Sequence, residues 1–291
     1  MSTLEGKAIA ITGAGAGIGA AYARHCAALG ARIVVNDIDA AAAATIVSEI
    51  RAAGGEAVVC PGDVSVWAFG AELVAACVET FGRIDGLVNN AGVLRHGRVT
   101  EMTEADFRSM LRINTLGTAT CAVHAIRAML SAGAGGSIVN VASGSQAGDI
   151  ALGGYGASKA AVASLTFSWA MELKNTGIRV NAVSPLAETA MSASNMEFLA
   201  QQSASREVVY TTLPPPDSNA PVVAFLLSDE AAGINGQIVR IAGHELSYVT
   251  HPAIAEPVLQ GEWTDEAVAG AFRDELNGKQ QKLGLTYAGR A

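Results

Sequence analysis

The sequence predicts an α/β fold: a doubly wound, mostly parallel sheet of about seven strands with helices on both faces. Three observations predict it. Short β-branched runs alternate with longer Ala-rich stretches through most of the chain. Several of those runs, "RIVVN", "SIVNVA" and "IRVNAV", are apolar without alternation, as strands covered on both faces require. A strand–helix–strand order repeated in this way builds right-handed crossovers, which place successive strands parallel.

The elements follow in order. A first strand is expected at 7–12, then a glycine-rich turn and a helix at about 17–30. A second strand at 32–37 leads to a helix at 39–54, where "AAAAA" supplies the best helix former behind Asp39 as cap. Strands at 56–60 and 84–89 flank a helix at 65–82. A helix at 103–131, broken near Asn114, precedes a fifth strand at 136–141. A helix at 153–176, a strand at 178–184, a helix at 219–228 and a strand at 236–241 complete the pattern. Within 186–220 three consecutive prolines stop any helix, and the segment reads as a lid over a substrate site. Residues 244–291 read as a C-terminal extension with an amphipathic helix in "TDEAVAGAFRDEL", capped by Thr264. The expected organisation is one catalytic domain over 1–243 and that extension, which suits a chain of 291 residues.

Composition narrows the function. Half the residues are hydrophobic and 16% are charged, which excludes a disordered chain. A formal charge of −8 with no basic run argues against nucleic acid and against an anionic membrane surface as partners. The four cysteines have no CxxC spacing and read as small packed hydrophobes, and the five histidines have no ligand spacing, so no metal site is expected. Without a signal-peptide pattern or a continuous apolar span, the expected setting is cytoplasmic, with reduced thiols. The helix "AAVASLTFSWAMEL" is apolar around most of its circumference, so one side is expected on the sheet and another on a partner subunit, in a homo-oligomer that is a dimer or tetramer.

The first βα junction reads "ITGAGAGIGAAYARHCAALG". Gly13, Gly17 and Gly19 stand in TGxxxGxG spacing, with Gly15 extra and Ile18 between. Such glycines allow a sharp turn and close backbone approach to a pyrophosphate, and the helix N-terminus offers free N–H groups to it. Asp37 ends the second strand, where an acid accepts from a ribose 2′-hydroxyl and repels a 2′-phosphate. No Arg or Lys lies inside the glycine loop, so NAD is expected over NADP. "GDV" brings Asp63 and Val64 to the end of the third strand, with Asp63 in reach of an adenine amino group, and "NNAG" brings the backbone of Asn90, Ala91 and Gly92 to the end of the fourth.

The combination TGAGAGIG, NNAG, a serine after the fifth strand and YGASK, in this order, resembles the short-chain dehydrogenase/reductase family with its Rossmann-type sheet, over residues 5 to about 243. Tyr155 and Lys159, at i and i+4, share one helix face, so the ammonium is expected to lower the phenol pKa toward the working range. The resemblance implies that Tyr155 is the general acid or base, that Lys159 also binds the nicotinamide ribose, and that Asn114 kinks its helix and holds a water. It implies a serine that holds the substrate oxygen, for which Ser143 is the first candidate. Because the spacing to Tyr155 is one residue short, Ser145 is the second. In "SPLAETAM", Pro185 is followed by Leu186 where the family commonly has glycine, and Thr189 is the candidate for the carboxamide. This shortened version and "VVND" look like the dehydrogenase part of peroxisomal-type multifunctional 3-hydroxyacyl-CoA enzymes. Met191, Met196, Phe198 and Leu199 in the lid suit a large apolar substrate, with Met191 nearest the site.

The function implied is NAD-dependent hydride transfer between a secondary alcohol and a ketone, on a hydroxysteroid or a 3-hydroxyacyl thioester. A 3-oxoacyl carrier-protein reductase is the alternative within the family, and Asp37 argues against its usual NADPH. A non-catalytic NAD-sensing or interaction protein is the alternative outside it, though simple binding needs no activated phenol.

Overall fold

A computed structural model describes residues 4–189 and 213–288. Met191, Met196, Phe198 and Leu199 lie outside the described residues, and with them most of the expected lid. The chain runs β1 (Ala8–Ile11), α1 (Gly17–Ala28), β2 (Arg32–Val35), α2 (Ala40–Ala52), β3 (Glu56–Val59), α3 (Phe69–Phe81) and β4 (Gly86–Asn89). It continues with α4 (Glu104–Met110), α5 (Gly117–Ala132), β5 (Gly136–Val141), α6 (Gly153–Glu172) and β6 (Ile178–Leu186). α7 (Ala220–Leu227), β7 (Ile238–Ala242), β8 (Glu245–Val249) and α8 (Asp265–Ala271) complete it. The described strands form one sheet in the order β3-β2-β1-β4-β5-β6-β7-β8. The strand order reverses on either side of β1, which opens a crevice between β1 and β4 at the carboxyl ends of the strands.

Alternate residues of β1 and β2 feed opposite cores. Ile9, Ile11, Ile33 and Val35 face α1, α2 and α7, packing with Tyr22, Ile46 and Leu226. Ala8, Ala10 and Val34 face α3 and α5, packing with Leu73, Cys77, Cys121 and Met129. The period of two within strands that read as uniformly apolar is therefore real: both faces are buried, so both carry hydrophobes.

Two expectations require correction. The sheet has eight described strands, because β8 pairs antiparallel with β7 inside the stretch read as extension. Gly243, at φ +62°, and His244 make the two-residue turn that closes this hairpin. Leu246 and Tyr248 remain largely exposed on it, so a burial pattern did not mark the strand. The helix around Asn114 does not break either. α4 passes through a π-turn (Leu111–Leu116) directly into α5. A single widened turn absorbs the extra residue and leaves the axis continuous.

All four cysteines are buried free thiols. Burial pushes Cys60 up to about 11 and Cys26, Cys77 and Cys121 up to about 12, so they pack rather than react. Among the described residues no group of three metal-ligating side chains gathers, and no helix is long and apolar enough to cross a membrane.

Candidate active site

The glycine turn is built by close approach. Gly13 takes φ +60°, and a Cβ there would stand 2.7 Å from Cα of Ala91. A Cβ on Gly19 would overlap the carbonyl oxygen of Gly13. Gly17, at φ +56°, has open space where a side chain would be, with Thr189 Cγ2 3.7 Å away. α1 starts from Ala16, which offers no side-chain acceptor, so the first-turn N–H groups are left for an anion. Thr12 fixes the loop to the end of β4: its hydroxyl accepts from the backbone N–H groups of Asn90 and Ala91 at 3.1 Å each. The Asn90 amide donates in turn to the carbonyls of Thr12 and Gly13, both at 2.9 Å.

Asp37 and Asp39 divide two tasks. Asp39 caps α2, accepting from Ala41 and Ala42 N–H at 2.9 and 3.1 Å. Asp37 lies against the glycine loop, its Oδ2 accepting from Gly15 N–H at 2.9 Å. Asp63 accepts from both the hydroxyl and the N–H of Ser65, at 2.6 and 2.8 Å, and lies 3.5 Å from Arg112. The Ser65 hydroxyl, more than Arg112, holds this carboxyl below its ordinary range. Val64 is buried under the π-turn, where Gly117 leaves room for it: a Cβ on Gly117 would stand 2.7 Å from Val64 Cγ2.

Ser143 follows β5 and caps a short 3₁₀ turn (Gly144–Ala147), its hydroxyl oxygen accepting from Ser145 N–H at 3.2 Å. It also stands near enough to the Tyr155 phenol to favour its charged form. Ser145 instead directs its hydroxyl to Asp149, at 3.5 Å. Tyr155 sits in the first turn of α6, and Lys159 one turn on, with its Nζ 5.8 Å from the Tyr155 ring centroid. Lys159 is only 4% exposed and donates to the Val141 carbonyl at 2.7 Å. Burial pulls its amine down to about 8.

The expectation for the phenol is corrected by this arrangement. In the protein alone, burial raises Tyr155 above its ordinary range, and the Ser143 hydroxyl draws it only part of the way back. Burial in the cleft disfavours charge on both groups, the phenolate and the ammonium.

Asn114 is fully buried in the π-turn. Its Oδ1 accepts from Val93 N–H at 2.8 Å, and its Nδ2 donates to the Val93 carbonyl and to Ser158 Oγ at 2.9 Å each. Its own carbonyl accepts from Thr118 Oγ1 at 2.7 Å. Its side-chain amide thus ties the segment after β4, the π-turn and α6 together.

These elements enclose a cleft of about 460 Å³. Its lining includes Gly13, Gly17, Ile18, Gly19 and Asp37, then Asp63, Val64, Asn90, Ala91 and Gly92, and at the far end Tyr155, Lys159, Pro185 and Thr189. Gly15, Asn114, Ser143, Ser145 and Leu186 do not line it. Gly15 faces Asp37 and Ala42, and the Leu186 carbonyl accepts from Asn219. Sequence reasoning missed the lining residues Asn36, Ile38, Val93 and Val141, and Thr12, which holds the loop to the end of β4. Thr12 precedes the glycine loop and Asn36 and Ile38 flank Asp37, so position alone marked these three; Val93 and Val141 are brought in by the chain beyond β4 and the end of β5, which spacing does not reveal.

Comparison with known proteins agrees with this geometry. Residues 13–243 match the family model described as Enoyl-(Acyl carrier protein) reductase. The hydroxyacyl-CoA dehydrogenase ChsB1 of Mycobacterium tuberculosis is 32% identical, over 95% of this chain and 90% of its own. The 3-oxoacyl-[acyl-carrier-protein] reductase FabG of Thermotoga maritima is 35% identical, over 82% of this chain and 98% of its own. The crystal structure of a short chain dehydrogenase from Mycobacterium avium superposes with a TM-score of 0.84 at 32% identity, covering 98% of this chain and 99% of the other. A glycine turn with no room for side chains, a serine on a phenol and a lysine behind it, in a chain so matched, make this protein an oxidoreductase of the short-chain dehydrogenase/reductase family.

Proposed function

We propose that this chain interconverts a secondary alcohol and a ketone with NAD, on a bulky apolar substrate such as a hydroxysteroid or a 3-hydroxyacyl thioester. The observation that carries the proposal is the placement of Tyr155 and Lys159, with Ser143 beside the phenol, in a cleft whose lining also includes Asp37. The residues fit a dinucleotide. Gly13 and Gly19 let the loop pack tightly against Ala91 and upon itself, Gly17 lines the cleft, and the uncapped N–H groups of α1 are free for a phosphate. Asp37, held beside Gly15, supports a ribose with a free 2′-hydroxyl and hence NAD.

When bound, the nicotinamide ring supplies the hydride acceptor. Ser143 donates a hydrogen bond to the substrate oxygen and holds it against Tyr155. Tyr155 takes the hydroxyl proton as the carbon–hydrogen bond breaks, and returns it in the reverse direction. Lys159, charged below about pH 8, offsets the phenolate and offers donors to the ribose. Thr189, which lines the cleft beside Gly17, would hold the carboxamide.

The name of the ChsB1 relative supports the thioester class, since its match extends over nearly this whole chain. The FabG relative supports a second reading, reduction of a carrier-protein thioester, against which Asp37 stands. Four unpaired buried thiols support a reducing, cytoplasmic setting. Exposed Leu116, Leu130 and Met171, with the open edge at Leu246 and Tyr248, support a dimer or tetramer.

Tyr155→Phe tests the mechanism. With a panel of hydroxysteroids, hydroxyacyl-CoA thioesters and simple secondary alcohols, NADH formation should fall by about 10²–10⁴ while NAD affinity holds. Unchanged turnover would remove Tyr155 from the chemistry. Equal efficiency with NADP in the wild type would overturn the reading of Asp37.

A further inference from the structure

The chain beyond residue 243, which the matched family region does not include, folds back onto the turn that follows Ser143. After α8, capped by Thr264, it passes a short π-turn (Phe272–Leu276) and returns toward the sheet. Gly284 takes φ +81°, a conformation only glycine adopts freely, and lies against Gly148, whose carbonyl oxygen would be 3.6 Å from a Cβ built there. The next residue, Leu285, covers Gly144. A Cβ on Gly144 would stand 2.9 Å from Leu285 Cδ2 and 3.8 Å from Arg240 Nη1. Two residues on, the Tyr287 hydroxyl donates to Glu245 on β8 at 3.4 Å. Leu285 is half-buried by these contacts, whereas Leu283 is 97% exposed.

The segment therefore spans the serine turn, with Gly284 against Gly148 and Leu285 against Gly144. Gly144 is the residue after Ser143, whose hydroxyl meets the Tyr155 phenol. A branched apolar side chain is thus delivered one residue from the group that would hold the substrate oxygen. The glycine at 144 is what allows it, since any side chain there would displace Leu285.

We propose that Leu285 is a specificity-determining residue, forming an apolar wall on the serine side of the substrate site. The inference rests on the alcohol–ketone reading above. The wall selects alcohols whose carbon skeleton is apolar and extended on the side facing Gly144, and it fixes the serine turn in place while they bind.

Leu285→Ala tests this, with Leu283→Ala as the exposed control on the same segment. The first readout is hydrogen exchange at the Gln146 and Gly148 amides, which donate to the Ser143 and Ser145 carbonyls at 3.1 and 3.0 Å. These amides should exchange about tenfold faster in Leu285→Ala than in wild type or Leu283→Ala, because the turn opens locally once its cover is truncated. The second readout is kcat/KM across secondary alcohols of increasing ring number. The ratio for the largest over the smallest should fall about tenfold in Leu285→Ala only, at constant NAD affinity. Unchanged exchange overturns the proposal, and faster exchange with an unchanged substrate ratio does so too. A wild type that oxidises none of these alcohols removes the alcohol–ketone reading and the specificity with it; the exchange then decides only whether the segment covers the turn.

Discussion

Replacing Lys159 with methionine should stabilise the fold near neutral pH while stopping turnover. Lys159 is 4% exposed, and burial pulls its amine from 10.5 to about 8. At 1.36 kcal/mol per pKa unit, keeping it charged inside costs about 3 kcal/mol below pH 8. Methionine has similar reach and no charge, but it leaves the Val141 carbonyl without its 2.7 Å donor. That loss costs about 1–3 kcal/mol, so the net gain at neutral pH is about 1 kcal/mol. The pH dependence discriminates better than the absolute value. Because the folded-state pKa is depressed, the unfolded chain binds more protons between about pH 8 and 10.5, and Lys159 makes wild-type stability rise across that window. The four buried thiols act in the opposite sense. Their folded-state pKa values lie above the ordinary 9.0, so the unfolded chain loses those protons first and stability falls above about pH 9. Burial raises Tyr155 as well, so it acts in the same sense as the thiols. Subtracting the variant from the wild type cancels the thiols and Tyr155. Between about pH 7 and pH 9 the difference should move about 1 kcal/mol in favour of wild type. Urea unfolding at three pH values measures it. Parallel stability curves would refute the argument, because they would mean that the ammonium is solvated rather than held dry behind the phenol.

Two further outcomes follow from the geometry. Ser143→Ala should lower kcat about 10²-fold with little change in NAD binding, whereas Ser145→Ala, which loses only a contact to Asp149, should stay within a few-fold; steady-state kinetics on one substrate compares them. Gly19→Ala should cost about 1–3 kcal/mol in urea unfolding and abolish measurable NAD binding by calorimetry, because its Cβ would displace the Gly13 carbonyl and the Asn90 amide.

Much of the fold and of the cofactor end was legible because local spacing encodes it. Apolar runs of strand length and Ala-rich helices gave the alternation, and Gly13, Gly17, Gly19 and Asp37 sit where their spacing put them. What spacing does not carry is direction and solvation. Ser143 and Ser145 stand two residues apart, and only the 3₁₀ turn between them decides which hydroxyl meets Tyr155. The i,i+4 relation of Tyr155 and Lys159 shows that an ammonium is near, but not that burial disfavours charge on both groups. Asn114 reads as a helix breaker because its partners, Val93 and Ser158, are distant in sequence. β8 escaped notice because it is a five-residue edge strand with exposed apolar side chains. The seat of Leu285 on Gly144 joins positions more than a hundred residues apart, which no periodicity reports.

The amides that fasten the cleft form one continuous track. Gly13 and Thr12 hold Asn90 and Ala91; Val93 holds Asn114; Asn114 holds Ser158, whose hydroxyl donates to the Tyr155 carbonyl at 2.7 Å. The span from the glycine loop to the phenol is thus set by groups that line the cleft, braced from behind by the buried Asn114 and Ser158. Its tolerance is that of a hydrogen-bond length, fixed before any ligand arrives. The rim can then diverge, exchanging one alcohol for another, without disturbing the alignment on which every such exchange depends.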